Sequence, residues 1–175
     1  MSARASSSAA LPIAHVTLRI LVFLNWFAAA AILALLLVSP NERWIMEAFD
    51  LSPSRDTDRL ITGLRTIAML GLVAIAGNYV ILKALQAMVE TVRQGDPFVP
   101  ANADRLRVIG WALLGLQLLS VMIGTIANRV STAAHPVDID SGFSVNGWLA
   151  VLLTFLLARV FAEGTLMRDE LDGTV

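Results

Sequence analysis

Four stretches of the chain carry no charged residue over about the thickness of a lipid bilayer. Each holds 17 to 21 residues, and they cover residues 20–38, 66–82, 108–128 and 141–158. At ~1.5 Å of rise per residue, such a helix crosses a hydrocarbon core of about 30 Å once its flanking side chains reach the interface. We therefore predict an all-α polytopic membrane protein in which residues 1–175 form a single domain. Its four transmembrane helices form a bundle and span approximately residues 16–38, 61–82, 108–128 and 142–162.

The composition supports a lipid environment. Hydrophobic residues make up 57% of the chain and charged residues 15%, whereas soluble domains average roughly 25% charged. The net charge of −1 gives no reason to expect direct binding of nucleic acid, which calls for a clustered basic face. The first apolar run is longer than the 7–15 residues of a signal-peptide core, so a retained helix is favoured over a cleaved signal.

The common catalytic motifs are absent from the sequence. It contains no H-E-x-x-H, no G-x-S-x-G and no phosphate-cradling glycine loop, and no carboxylate lies inside a span. The chain has no cysteine. His135, Asp138 and Asp140 are too loosely spaced for a metal site, and Pro136 favours a turn there. We expect a protein that is not an enzyme and has no cofactor or metal.

The distribution of cationic residues predicts the orientation. With four spans, both termini lie on one side of the membrane together with the 83–107 loop. That side carries eight Lys and Arg residues and the opposite side five, so the positive-inside rule places both termini in the cytoplasm. We expect a multi-pass protein of a bacterial plasma (inner) membrane, with the lipid bilayer as its first partner.

The second helix is predicted to continue beyond the membrane into the cytoplasm. Gly95 is expected as the C′ residue of this helix, Pro97 as its stop and Asn102 as the N-cap of the third helix. The extension carries one apolar stripe, formed by Leu85, Met88, Val89 and Val92. On the opposite side, residues 44–49 predict a short interfacial helix anchored by Trp44, and Ser52 with Pro53 predicts the start of the second helix.

Three uncharged polar side chains lie inside the predicted spans: Asn25, Asn78 and Gln117. An unpaired amide is costly in lipid, so each should face protein or water. They act either as interhelical hydrogen bonds or as part of a polar path or ligand pocket. Asn25 and Gln117 fall at similar depth, which predicts a shared polar contact between the first and third helices, direct or through water. Arg159 and Glu163 have the i,i+4 spacing of a helix ion pair, either a simple surface pair or a functional one.

Two segments carry a recognisable pattern. Residues 93–111 contain Gly-x-Pro-Phe, then Asn and an Arg-Leu pair before Ile-Gly. Residues 158–175 contain Glu-Gly and close on Thr-Val. Together these segments resemble the bacterial four-span membrane family catalogued as domain of unknown function 2975. The residues that fit are Gly95, Pro97, Phe98, Asn102, Arg105, Leu106, Ile109, Gly110, Glu163, Gly164, Thr174 and Val175.

The resemblance implies a role but no reaction. Members of the family are often encoded beside a small helix-turn-helix regulator, so we expect a regulatory or sensing partner of such a cytoplasmic protein. An aromatic Phe98 in a polar loop either packs on the helix ends or meets a partner. The alternative function is a small channel or transporter, whose short spans would need to form a homo-oligomer. The expected docking residues are Gly95, Pro97, Phe98, Asn102, Arg105, Leu106, Glu163, Gly164 and Arg168.

Overall fold

The computed structural model describes residues 3–40, 55–131 and 143–172. Every regular element in these ranges is an α-helix, which confirms the predicted fold class. The four helices are α1 (Ala3–Val38), α2 (Arg55–Arg93), α3 (Pro100–Val130) and α4 (Val145–Asp172). The predicted interfacial helix at 44–49, the cap at Ser52 and the loop with His135 lie outside the described residues.

All four helices are long and apolar enough to cross a membrane. In the most apolar window of each helix, at most 17% of the residues are buried inside the protein. The large apolar side chains of these windows therefore point outward, where only lipid can cover them favourably. The chain is thus a multi-pass membrane protein. The membrane-competent stretches are Leu11–Val38, Thr57–Arg93, Pro100–Val130 and Val145–Arg168.

The helices extend well beyond the predicted spans. α2 has 39 residues, about 58 Å at 1.5 Å per residue, which is nearly twice the thickness of the hydrocarbon core. Its continuation from residue 82 to Arg93 confirms the predicted extension of the second helix. α1 begins at Ala3, with Pro12 inside the helix, earlier than the predicted span because a helix need not end where its apolar stretch ends.

The helices pack in chain order. α1 lies against α2, α2 against α3 and α3 against α4, and no other pair of these described helices brings Cα atoms within 8 Å. Each neighbouring pair is antiparallel. For example, Trp26 of α1 meets Tyr79 of α2 edge-to-face, while Arg65 near the start of α2 donates to the carbonyl of Ser39 after α1. The bundle is therefore open, with α1 and α4 at its two edges.

Glycines lie at several close contacts between the helices, where a small residue lets two helices approach. A Cβ at Gly63 would lie 2.3 Å from Val130 Cγ1, so a side chain there would require Val130 of α3 to shift. A Cβ at Gly110 would lie 3.0 Å from the ring of Phe155 on α4. Because α3 and α4 are antiparallel neighbours, the start of α3 and the end of α4 lie at the same end of the molecule. We call this the junction end, because the connection between α2 and α3 lies there as well.

Candidate functional site

The connection from α2 to α3 begins with a tight helix stop at Gly95. Gly95 has a φ of +86°, a left-handed conformation that glycine adopts without steric cost. Its N–H donates to Val92 O at 3.1 Å, and the next N–H, of Asp96, donates to Thr91 O at 3.0 Å. These two bonds form a Schellman motif with Gly95 at C′. The predicted role of Gly95 is confirmed.

Asn102 does not cap α3, so this part of the prediction is wrong. The helix begins at Pro100 with Val99 as N-cap residue, and no side chain caps it. Proline at the first helical position fixes this start, since its ring holds the helical φ and it has no N–H to satisfy. Asn102 is instead fully buried within the first turn.

The Asn102 side chain forms hydrogen bonds to three segments. Its Nδ2 donates to Thr91 Oγ1 of α2 and to Pro97 O of the connection, both at 2.8 Å. Its Oδ1 accepts a 2.7 Å bond from Arg105 Nη1 of α3. A buried amide with all these bonds made is stabilising, whereas the same amide without them would be costly. Asn102 therefore holds the end of α2, the connection and the start of α3 in one arrangement.

Two further residues complete this network. The hydroxyl of Thr91 donates to Met88 O at 2.7 Å while it accepts from Asn102. Arg105 also donates to Ala87 O on α2, at 3.3 Å. Thr91 was not singled out from the sequence, because its partner lies eleven residues further along the chain and no local pattern marks it. The network leaves Arg105 only partly accessible.

Phe98 joins the connection to α4. Its ring lies 5.4 Å from that of Phe161, centroid to centroid, with 32° between the planes. It also covers Gly164, where a Cβ would come 3.2 Å from Phe98 Cδ1. Of the two predicted fates of this aromatic, packing on a helix end is therefore realised. Yet 45% of Phe98 remains exposed, so the ring also presents an accessible surface.

An ion pair reinforces the contact between the connection and α4. Arg168 Nη1 donates to Asp96 Oδ1, and both side chains are partly exposed. Phe161, Gly164 and Arg168 have the i, i+3, i+7 spacing of one helix face. Met167, which precedes Arg168 in the chain, is 62% exposed. We call the accessible parts of Asp96, Phe98, Met167 and Arg168 the junction surface.

The other predicted docking residues have different places. Leu106 is buried in a small core with Ile109 and Ala158. Like the fully buried Asn102, it cannot touch a partner in this conformation. Glu163 lies on another face of α4, where it pairs with Arg159 at 3.0 Å and lines a groove shared with α3. Of the predicted docking residues, Asn102 and Leu106 are thus buried, Phe98 and Arg168 lie on the junction surface, and Glu163 lines this groove.

The intramembrane amides do not meet as predicted. Asn25 Nδ2 donates to Ile75 O of α2 at 3.3 Å. Gln117 is buried and faces α4, where a Cβ at Gly147 would come 2.1 Å from its Oε1. Because α1 and α3 do not contact each other, the expected contact between Asn25 and Gln117 is wrong. Asn78 is exposed and lines a groove between α1 and α2 together with Asn25.

The described segments contain no set of three His, Asp or Glu side chains close enough to hold a metal ion. The ionisable side chains at the junction end are arginines and carboxylates that pair with one another or with backbone carbonyls. Such an arrangement positions helices and presents a surface.

Comparison with known proteins places the chain in a family. No curated protein and no solved structure matches it significantly. A family model matches residues 21–175, which covers α2, α3, α4, half of α1 and every residue of the junction surface. The chain therefore belongs to the family described as protein of unknown function (DUF2975).

Proposed function

We propose that the protein is a non-enzymatic regulatory or sensing partner of a cytoplasmic helix-turn-helix transcription regulator. In this proposal it resides in a bacterial plasma membrane with both termini and the junction end in the cytoplasm. The excess of Lys and Arg on that side supports the orientation. The genes that commonly accompany members of this family support the class of partner.

The observation that carries the proposal is the half-exposed Phe98. Gly164 and Phe161 hold one face of its ring, and the Asn102 network fixes the backbone on which it stands. An aromatic side chain already held in place loses little entropy on binding, which is the property of an interface anchor. Arg168 beside it supplies the charged neighbour that often accompanies such an anchor.

Exposed apolar side chains at the junction end support the same interpretation. Val92 lies in the extension of α2 beyond the predicted span, and Met167 lies near the end of α4. Both are exposed, at 39% and 62%. In the proposed orientation these side chains face water, and apolar surface exposed to water can mark a site of protein interaction. The junction surface is therefore the part of the chain best suited to dock a soluble partner.

The test uses Met167, because truncation of Phe98 would also remove packing against α4. Protein in lipid nanodiscs is titrated with the helix-turn-helix protein encoded beside its gene, and binding is measured by biolayer interferometry. Met167→Glu should weaken binding about tenfold or more, as loss of a hot-spot contact does. Met167→Leu, the matched control, should bind like the parent. Equal binding by both variants, or no binding by the parent, would contradict the proposal.

A specific observation also favours a second function, a small oligomeric channel or transporter. Asn78 exposes its amide on a membrane-spanning helix, beside a groove of about 350 Å³ that it shares with Asn25. An amide facing lipid alone is unfavourable, so a second copy or a hydrated pathway would stabilise it. Potassium flux in proteoliposomes that falls in Asn78→Leu would favour this function. Absence of flux in the parent would exclude potassium as its cargo.

A further inference from the structure

A second accessible site lies near the junction end. It is a groove of about 470 Å³ between the two helices. Its polar lining comes from Arg107, Arg159 and Glu163, and its apolar lining includes Trp111, Phe155 and Leu166. On α4, Arg159, Glu163 and Leu166 have the i, i+4, i+7 spacing of one face. This face differs from that of Gly164, which packs under Phe98.

The apolar wall of the groove is fixed by a close helix contact. Phe155 fits against Gly110, where a Cβ would lie 3.0 Å from the ring. Trp111 meets the same ring edge-to-face, with 5.5 Å between centroids and 80° between planes. Trp111 is nevertheless 66% exposed. The groove therefore presents a rigid aromatic surface that is open to the surroundings of the helices.

Two arginines stand one turn above this aromatic pair. Arg107 precedes Trp111 by four residues on α3, and Arg159 follows Phe155 by four residues on α4. Because the two helices are antiparallel, both steps lead toward the junction end, and the two guanidinium groups border the groove at similar depth. Arginine with tryptophan at this level is typical of the boundary between headgroups and hydrocarbon.

The charges of both arginines are only weakly engaged. Arg107 pairs with Asp104 at 3.1 Å and Arg159 with Glu163 at 3.0 Å, and all four side chains are more than half exposed. Exposed pairs of this kind contribute little to stability. A guanidinium has five N–H donors, and each of these pairs uses one of them. Both arginines can therefore bind an additional anion without losing a strong interaction.

We propose that this groove binds an anionic phospholipid. The phosphate would accept hydrogen bonds from Arg107 and Arg159, whose planar fork fits phosphate oxygens. An acyl chain would lie along Trp111 and Phe155. A soluble phosphate ester would gain from the arginines but not from the apolar wall, so the combination selects a lipid. Basic pockets between membrane helices recognise anionic headgroups in this manner. The inference does not rest on the proposed function.

The test measures contact between lipid and the groove through the fluorescence of Trp111. The chain has four tryptophans, so replacing Trp26, Trp44 and Trp148 by Phe leaves Trp111 as the only reporter. The protein is reconstituted in mixtures of brominated phosphatidylglycerol with ordinary phosphatidylcholine, and in the reverse mixtures. Bromine quenches tryptophan fluorescence on contact. We expect quenching of Trp111 to show about tenfold preference for the anionic lipid, since each arginine near an anionic headgroup contributes severalfold.

The double variant Arg107→Gln with Arg159→Gln should lose this preference. Arg129→Gln, an exposed arginine at the other end of α3, is the matched control and should retain it. Circular dichroism melting checks that each variant is folded. If the double variant does not fold, the single variants serve, and each should lose a severalfold part of the preference.

Three outcomes would overturn the proposal. Equal quenching of the parent by both lipids would mean that Trp111 merely faces the bilayer. Loss of preference in Arg129→Gln would mean that general surface charge, and not the groove, selects the lipid. Displacement of brominated phosphatidylglycerol by millimolar inorganic phosphate at constant ionic strength would mean that the arginines bind free phosphate without using the apolar wall.

Discussion

Phe98 lies directly on Gly164: a Cβ at that position would come 3.2 Å from Phe98 Cδ1, so the ring would have to shift to admit it. The two residues are 66 positions apart in the chain. The Pro-Phe and Glu-Gly motifs of the family therefore describe the two halves of one contact. One motif supplies the ring and the other supplies the space for it.

Enlarging Gly164 should open this contact. Gly164→Leu forces the Phe98 ring off α4 and strains the packing against Phe161, with an expected loss of about 1–3 kcal/mol in the free energy of unfolding. Thermal or SDS unfolding in detergent measures the loss. Gly115→Leu is the matched control, because a Cβ at Gly115 meets no atom within 4 Å. Equal stability of the two variants would show that the contact with Phe98 does not matter.

Removing the Asn102 amide should loosen the whole connection. Asn102→Leu removes the buried hydrogen-bond partner of Arg105, Thr91 and the Pro97 carbonyl. The expected loss is about 2–3 kcal/mol in the free energy of unfolding. Hydrogen exchange of residues 91–105 should rise together with the loss of stability. Asn128→Leu, an exposed asparagine on the same helix, should change neither quantity. A stable, well-protected Asn102→Leu variant would contradict the importance of the network.

Asn25 and Gln117 should act independently. Their side chains contact different helices, α2 and α4 respectively, so a double-mutant cycle with Asn25→Leu and Gln117→Leu should be additive within about 0.5 kcal/mol. The single change Asn25→Leu removes the bond to Ile75 O and should cost about 0.6 kcal/mol. A coupling above 1 kcal/mol would indicate that α1 and α3 meet after all.

Labelling of introduced cysteines tests the orientation. The chain has no cysteine, so the parent serves as an unreactive control. Gln94→Cys, at the exposed junction end, should react with a membrane-impermeant maleimide only after the cells are permeabilised. Ser131→Cys, after the opposite end of α3, should react in intact cells. The reverse pattern would place the junction end outside and exclude a cytoplasmic partner.

The four helices and the stop of α2 are predictable because they depend on local chemistry, whereas the helices extend beyond most of the predicted span limits. Uncharged stretches of 17 to 21 residues predict the spans, and Gly95 predicts the stop of α2 because glycine alone adopts its φ easily. Asn102 was misassigned for the same reason. An asparagine near a helix start suggests a cap. Here Pro100 begins the helix two residues earlier, and the Asn102 side chain bonds instead to groups that include Thr91 on another helix.

The depth of residues in the membrane does not predict which helices contact each other. Counting 1.5 Å per residue places Asn25 and Gln117 at similar height, but height says nothing about which way a side chain points around its helix axis. That direction depends on which helices pack together, and here Asn25 points to α2 and Gln117 to α4. Similarly, Phe98 alone did not reveal whether it packs inward or outward, because its partner lies on a distant helix.

The packing of the helices in chain order has a consequence for biogenesis. During synthesis each new helix finds its partner already in the membrane, because that partner is the helix made just before it. Assembly can therefore follow the order of translation, with no early helix waiting for a late one across the chain. The exception is the junction. Phe98 is synthesised well before Gly164, and its binding place on α4 does not exist until that helix is made. The contact between them can therefore form only after α4 has inserted.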